Sequence, residues 1–142
     1  MTERLEQRLI GTWDLVSYET VDAEGGRGRP YGDAVGRLDY DAAGHMSGQV
    51  MRPNRARVEL GEGGAQQVRA AYTGYIAYFG TYDVEPDGRT VIHRVRGSLN
   101  PAWVGGEQRR AMHFDGDHLV LQADVTKGGT IVHHVLTWRR MG

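Results

Sequence analysis

Hydrophobic and polar positions alternate with a period of two along most of this chain, in short runs separated by glycine-bearing turns. The runs GTWDLVSYETV (residues 11–21), about 36–40, HMSGQVMR (45–52), about 77–85, TVIHRVRG (90–97), about 106–114, HLVLQADV (118–125) and TIVHHVLTWRR (130–140) read as strands. The breaks between them carry turn chemistry. Asp41-Ala42-Ala43-Gly44 reads as a type I turn closed by a left-handed glycine, and Glu85-Pro86-Asp87-Gly88-Arg89 places Pro second and Gly fourth. Asp115-Gly116 and Lys127-Gly128-Gly129 supply residues that tolerate positive φ, and the glycine-rich run EGGRGRPYG reads as a loop. Two stretches depart from the period. Residues 2–9 fit one or two helical turns that plug an end of the domain, with Thr2 as N-cap and Leu5 and Leu9 on one face. In VRAAYTGYIAYF, Val68, Tyr72, Tyr75 and Phe79 fall three or four apart, which predicts a helix at about 65–76 behind Gly61, Gly63 and Gly64. Gly74 opposes that helix by roughly 1 kcal/mol relative to alanine.

Eight strands joined in sequence order by short turns predict an all-β, eight-stranded antiparallel up-and-down barrel, with one helix between strands 3 and 4. Residues 1–142 are expected to form one such domain, since domains cluster at roughly 100–150 residues. The interior of a barrel of this size holds side chains or one small ligand.

Turn geometry assigns faces. If Asp115 and Gly116 are the two loop residues, Phe114 lies opposite Asp117, Met112 opposite Leu119 and Arg110 opposite Leu121. The apolar set Leu119, Leu121, Ala123 and Val125 should face inward, which carries Gln108 and Arg110 into the interior. On the fifth strand Val91, His93 and Val95 form the less charged face, so His93 points inward as well. On the last strand the face with Val132, His134, Leu136 and Trp138 is taken as internal. Val16, Tyr18, Ile131 and Val135 then make the outer faces of the first and last strands apolar enough for a homodimer.

The stretch HRVRGSLNPAWVGGEQRRAMH (93–113) combines a rigid, Trp103-bearing corner with a strand that sets Gln108, Arg109 and Arg110 among apolar residues. Unpaired buried polar groups cost on the order of 1–3 kcal/mol each, so this mixture predicts the wall of a small-molecule cavity. Its expected ligand-binding residues are His93, Gln108, Arg110, Met112, His134, Trp138, Tyr75 and Tyr78. Arg110 either pairs structurally with Asp83 or Glu107, or holds an acidic oxygen of a ligand through its planar fork. His93 is either a hydrogen-bonded core residue or, in an enzyme, a general acid or base acting with Arg110. Tyr72, Tyr75, Tyr78 and Tyr82 favour packing over chemistry, and a helix bearing such rings would cover the barrel mouth.

Composition narrows the partners. Seventeen basic and eighteen acidic residues are scattered and give a net charge of −1, so no field draws the chain to nucleic acid. No run approaches the roughly 18 apolar residues of a membrane span. Cysteine is absent and the first residues carry no secretory pattern, which leads to the expectation of a cytoplasmic protein. Six histidines lack metal-ligand spacing, and adjacent His133 and His134 must point to opposite faces of a strand. No G-x-G-x-x-G fingerprint is present, so neither a metal nor a cofactor is expected.

Gly11-Thr12-Trp13 after a short helical turn, and Trp138-Arg139-Arg140 on the last strand, resemble the lipocalin arrangement of a strand-one tryptophan at the closed end of the barrel under a last-strand arginine. The longer set LIGTWDLVSYE, GRLDYDAAGHMSGQVMRP, YFGTYDVE, VRGSLNPAWVGGEQRR, FDGDHLVL and LTWRR is similar to the bacterial and fungal lipocalin-like domain family over about residues 9–140. That resemblance implies a calycin-type barrel that binds a small, mostly apolar organic molecule, with Trp13 buried near Arg139 or Arg140. The alternative it admits is an enzyme of secondary metabolism, a cyclase or isomerase acting on a polyketide- or terpene-like substrate in the same cavity, in which His93 and Arg110, named from the strand pattern and not from the family, would be the catalytic residues. No universal catalytic residue carries over from the family.

Overall fold

A computed structural model describes residues 5–58 and 64–142. A short helix α1 (Leu5–Leu9) leads into strand β1 (Gly11–Val21), the two-residue β2 (Arg27–Gly28), β3 (Val35–Tyr40) and β4 (His45–Met51). Helix α2 (Ala65–Thr73) follows, then β5 (Tyr75–Val84), β6 (Thr90–Ser98), a 3-10 turn (Pro101–Trp103), β7 (Glu107–Asp115), β8 (His118–Lys127) and β9 (Thr130–Arg140). Each long strand pairs antiparallel with its neighbour in the order β1-β3-β4-β5-β6-β7-β8-β9, and β9 returns to β1, so eight strands close a barrel. The turns behave as their chemistry dictates: Gly44, Gly88, Gly116 and Gly128 all adopt positive φ. One interior glycine is required for another reason. A Cβ on Gly80 would lie 1.8 Å from the Arg94 carbonyl oxygen, so no side chain fits where β5 passes β6.

Four expectations change. The helix lies between β4 and β5 rather than between the third and fourth strands, because the run read as a loop pairs Arg27 and Gly28 with Val21 and Thr20 as an additional strand. It also ends at Thr73: Gly74 caps it, and from Tyr75 onward the chain joins a seven-pair ladder with β4, which outweighs the helical spacing of Tyr75 and Phe79. Thr2, Gly61 and Gly63 fall outside the described residues. The β7–β8 loop consists of Gly116 and Asp117, with Asp115 opposite His118, Phe114 opposite Leu119 and Met112 opposite Leu121. This slip of two residues preserves every face, because side chains alternate with period two. Tyr18 points inward and is 8% exposed, whereas Val16 and Ile131 remain exposed. The reason is a bulge: Leu15 pairs with Trp138 and Ser17 with Thr137, so Val16 is an extra residue that inverts the alternation beyond it. The outer apolar face of β1 is correspondingly narrower.

The barrel has a closed and an open end. Along β8 the inward side chains Leu119, Leu121, Ala123 and Val125 are 0%, 4%, 9% and 46% exposed, a gradient that runs from plug to mouth. At the closed end Leu9 and Trp13 are fully buried, and the Trp13 indole N–H donates to the Leu9 carbonyl at 2.9 Å. Arg140 stacks its guanidinium 4.3 Å from the Trp13 ring centroid and donates to the carbonyls of Ile10 and Arg8, which ties α1 to the last strand. None of the residues of α2 is buried; its C-terminal end is held by Arg55 donating to the Ala71 carbonyl and Tyr31 donating to that of Thr73. No helix among the described residues is long and apolar enough to cross a membrane.

Candidate functional site

Above the plug the barrel encloses a cavity of about 480 Å³ that opens at the mouth. Its apolar wall comes from alternate residues of several strands, including Leu38, Val50, Ile76, Leu121, Leu136 and Trp138. Into this cup project Arg110 and Gln108 from β7, His93 from β6, Tyr78 from β5, Tyr18 from β1 and His134 from β9, and the Trp103 ring closes one side from the 3-10 turn. Six of the eight residues expected to line a site therefore meet in one cavity. Met112 instead lies in the packed core toward the plug, opposite Leu121, and is 6% exposed. Tyr75 lines a separate shallow groove with Tyr31, Tyr72 and Trp103 beside α2. The helix adds no residue to the cavity wall and stands beside the mouth, where Tyr31 packs edge-on against Tyr18 at 5.4 Å.

Two arginines of β7 border the cup; Arg109 pairs with Glu85 and Glu107, whereas Arg110 turns its fork toward the interior. Its Nη2 donates to Gln108 Oε1 at 2.9 Å and its Nη1 to the Arg109 carbonyl at 3.0 Å. Neither acidic candidate partner pairs with it: Asp83 bonds Arg94, and Glu107 lies near Arg94 and Arg109 on the outer surface. Among the described residues no carboxylate neutralises Arg110. The remaining polar groups form two tyrosine–histidine sets. Tyr40 Oη lies 2.6 Å from His93 Nε2, and Tyr78 Oη lies 2.6 Å from His93 Nδ1, so the imidazole is engaged at both nitrogens. Tyr18 Oη lies 2.7 Å from His134 Nδ1.

The electrostatics follow from burial beside an unneutralised cation. Burial, and then the nearby Arg110 charge, push His93 down to about 3 and lower His134 in the same direction, so both rings are neutral at ordinary pH. Burial drives the phenols the other way: Tyr18 rises to about 12, and Tyr40 and Tyr78 rise as well, while Arg110 partly opposes each shift. The cup therefore holds the Arg110 charge, the neutral rings of Tyr18, Tyr78, His93 and His134, the Trp138 indole, whose buried N–H has no partner among the described residues, and an apolar lining. That set can take a small molecule with an aromatic or aliphatic body and a few oxygen acceptors, one of them acidic. No group of three or more His, Cys, Asp or Glu side chains among the described residues is placed to hold a metal.

Sequence reasoning missed Tyr18 and Tyr40, whereas the Trp103-bearing corner lies in the wall as its sequence suggested. Tyr40 was detectable, since Leu38 and Tyr40 alternate with charged Arg37 and Asp39 on β3. Tyr18 was hidden behind the Val16 bulge.

A family model described as a lipocalin-like domain matches residues 10–141 of this chain. The 4'-hydroxy-3'-methoxypropiophenone carrier protein ppsC of Aspergillus oryzae is 36% identical over 107 residues, which cover 68% of this chain and 96% of that protein.

Proposed function

The chain belongs to the lipocalin-like domain family, and from that premise we propose that it is a carrier for a small aromatic molecule with an acidic oxygen, such as a phenolic ketone, held inside the barrel. The observation that carries this reading is Arg110, a guanidinium with no carboxylate partner among the described residues, facing an apolar cavity of about 480 Å³. Ligand cavities fall in the range of roughly 300–1,000 Å³, with a few placed polar groups on an apolar lining. An anionic or strongly polarised oxygen on the ligand supplies the acceptor that the protein itself does not, in a setting where charge-assisted hydrogen bonds are strongest. The relative's name, which specifies a hydroxy-methoxy-propiophenone, supports an aryl ketone as the class of cargo. Arg110, Gln108, His93, Tyr78, His134 and Trp138 are the proposed ligand contacts.

Carriage fits the site better than catalysis by His93. Both its nitrogens are occupied by tyrosine hydroxyls and its pKa lies near 3, so it is a poor proton shuttle at neutral pH. Isothermal titration with 4'-hydroxy-3'-methoxypropiophenone tests the proposal. Saturable one-to-one binding that returns the ketone unchanged is the expected result; no binding, or steady conversion of the ketone, would overturn it.

A further inference from the structure

The Tyr40–His93–Tyr78 chain has a direction that its geometry and burial fix. A neutral imidazole carries a single N–H, so one tyrosine must donate to His93 and the other must accept from it. Tyr40 is 2% exposed, and its hydroxyl has no other hydrogen-bond partner among the described residues. Were Nε2 the protonated nitrogen, Tyr40 would accept from it and its own O–H would be left buried without an acceptor, which is the costly arrangement. With Nδ1 protonated, Tyr40 donates to Nε2 and His93 donates to the Tyr78 oxygen. The O–H left over is then that of Tyr78, and Tyr78 lines the cavity, where an acceptor can reach it.

We propose that Tyr78 is a neutral hydrogen-bond donor of the cavity, aimed by Tyr40 and His93 acting as positioning residues, and that it takes a ketone or similar uncharged oxygen on the ligand whose acidic oxygen Arg110 takes. The inference rests on the reading of the cavity as a ligand site and adds to it a second point of recognition. Arg110 and Tyr78 then differ in character: Arg110 suits an acidic oxygen such as a phenol's, and Tyr78 an uncharged one such as a ketone's, on a wall that also carries the Trp138 indole N–H, which is buried without a partner among the described residues. Hydrogen bonding to His93 makes Tyr78 a better donor as well as a fixed one, because bonds in a chain polarise one another.

Two measurements on the intact protein test this. Nitrogen-15 NMR of the histidines in the ligand-free protein should find His93 protonated at Nδ1; protonation at Nε2 would overturn the proposal outright. Titration should then compare 4'-hydroxy-3'-methoxypropiophenone with the same compound carrying methylene in place of the ketone. The wild type should prefer the ketone by roughly three- to tenfold, the range of one neutral hydrogen bond. Tyr78→Phe should abolish that preference. Tyr40→Phe, which touches no ligand, should reduce it because His93 is then free to accept the Tyr78 proton; a merely structural role would move stability but not the ratio. Should Tyr78→Phe fail to fold, the His93 tautomer and the change of the ratio in Tyr40→Phe still decide. Equal affinity of the wild type for both compounds would overturn this inference and leave the carrier reading intact, whereas binding of neither would overturn both.

Discussion

Two Arg-Arg pairs sit on β7 and β9, the strands that flank β8, and in each the first arginine points out and the second in. Arg109 pairs with Glu85 on the surface and Arg139 lies 3.9 Å from Asp14, as exposed ion pairs of small energetic weight. The inward partners differ. Arg140, at the closed end, lies against the Trp13 ring and donates to two backbone carbonyls of the α1–β1 junction, so its planar fork knits the plug. Arg110, toward the mouth, reaches Gln108 and the carbonyl of its own neighbour and otherwise faces the cavity. The same residue type is structural in one place and available in the other, and what separates them is where the N–H groups go rather than how deeply each side chain is buried.

The sharpest way to break that comparison is at the plug. Trp13→Ala removes a ring that is 1% exposed, together with the surface on which Arg140 stacks. The expected loss of stability is about 3–5 kcal/mol, read by urea denaturation. A loss below about 1 kcal/mol would mean that the closed end does not hold the barrel together.

The open end should instead be sensitive to acid. His93 has an ordinary value of 6.5 and lies at about 3 when folded, so below about pH 6.5 the unfolded chain binds a proton that the folded chain refuses. Stability therefore rises with pH across that window and falls on acidification, by about 2–3 kcal/mol between pH 7 and pH 4.5. His134 shifts in the same direction and adds to the effect. The lowered carboxyls of Asp41 and Asp124, whose ordinary value is 3.8, act only below that window. Urea denaturation at the two pH values checks the sign; equal stability at both would mean that His93 is protonated or exposed in the fold.

Much of this was legible in the sequence because a barrel depends on period two and on turns. Asp41-Ala42-Ala43-Gly44 and Glu85-Pro86-Asp87-Gly88-Arg89 turned the chain where their residues predict, and the inward set of β8 followed from its leucines. Even the misplaced β7–β8 loop left Arg110 and Gln108 on the inner face, since a slip of two residues conserves phase. What the sequence concealed were events that break phase or depend on distant pairing. The Val16 bulge carried Tyr18 inside, and the β4–β5 ladder claimed Tyr75 from the helix. The partnership of Tyr40 and Tyr78 with His93 joins residues 53 and 15 positions apart and exists only once the barrel has closed.

The central claim is that the fork of Arg110 is available to a ligand while that of Arg140 is committed to the fold. The most direct test replaces each with methionine and measures thermal stability and affinity for 4'-hydroxy-3'-methoxypropiophenone side by side. Arg140→Met should cost about 2–3 kcal/mol of stability, because it leaves two backbone carbonyls unpaired at the plug. Arg110→Met should leave stability within about 1 kcal/mol and weaken binding roughly tenfold to a hundredfold, the equivalent of one lost charge-assisted hydrogen bond. If Arg110→Met unfolds the protein, or leaves the affinity unchanged, Arg110 is a second structural arginine and the account of the cavity fails.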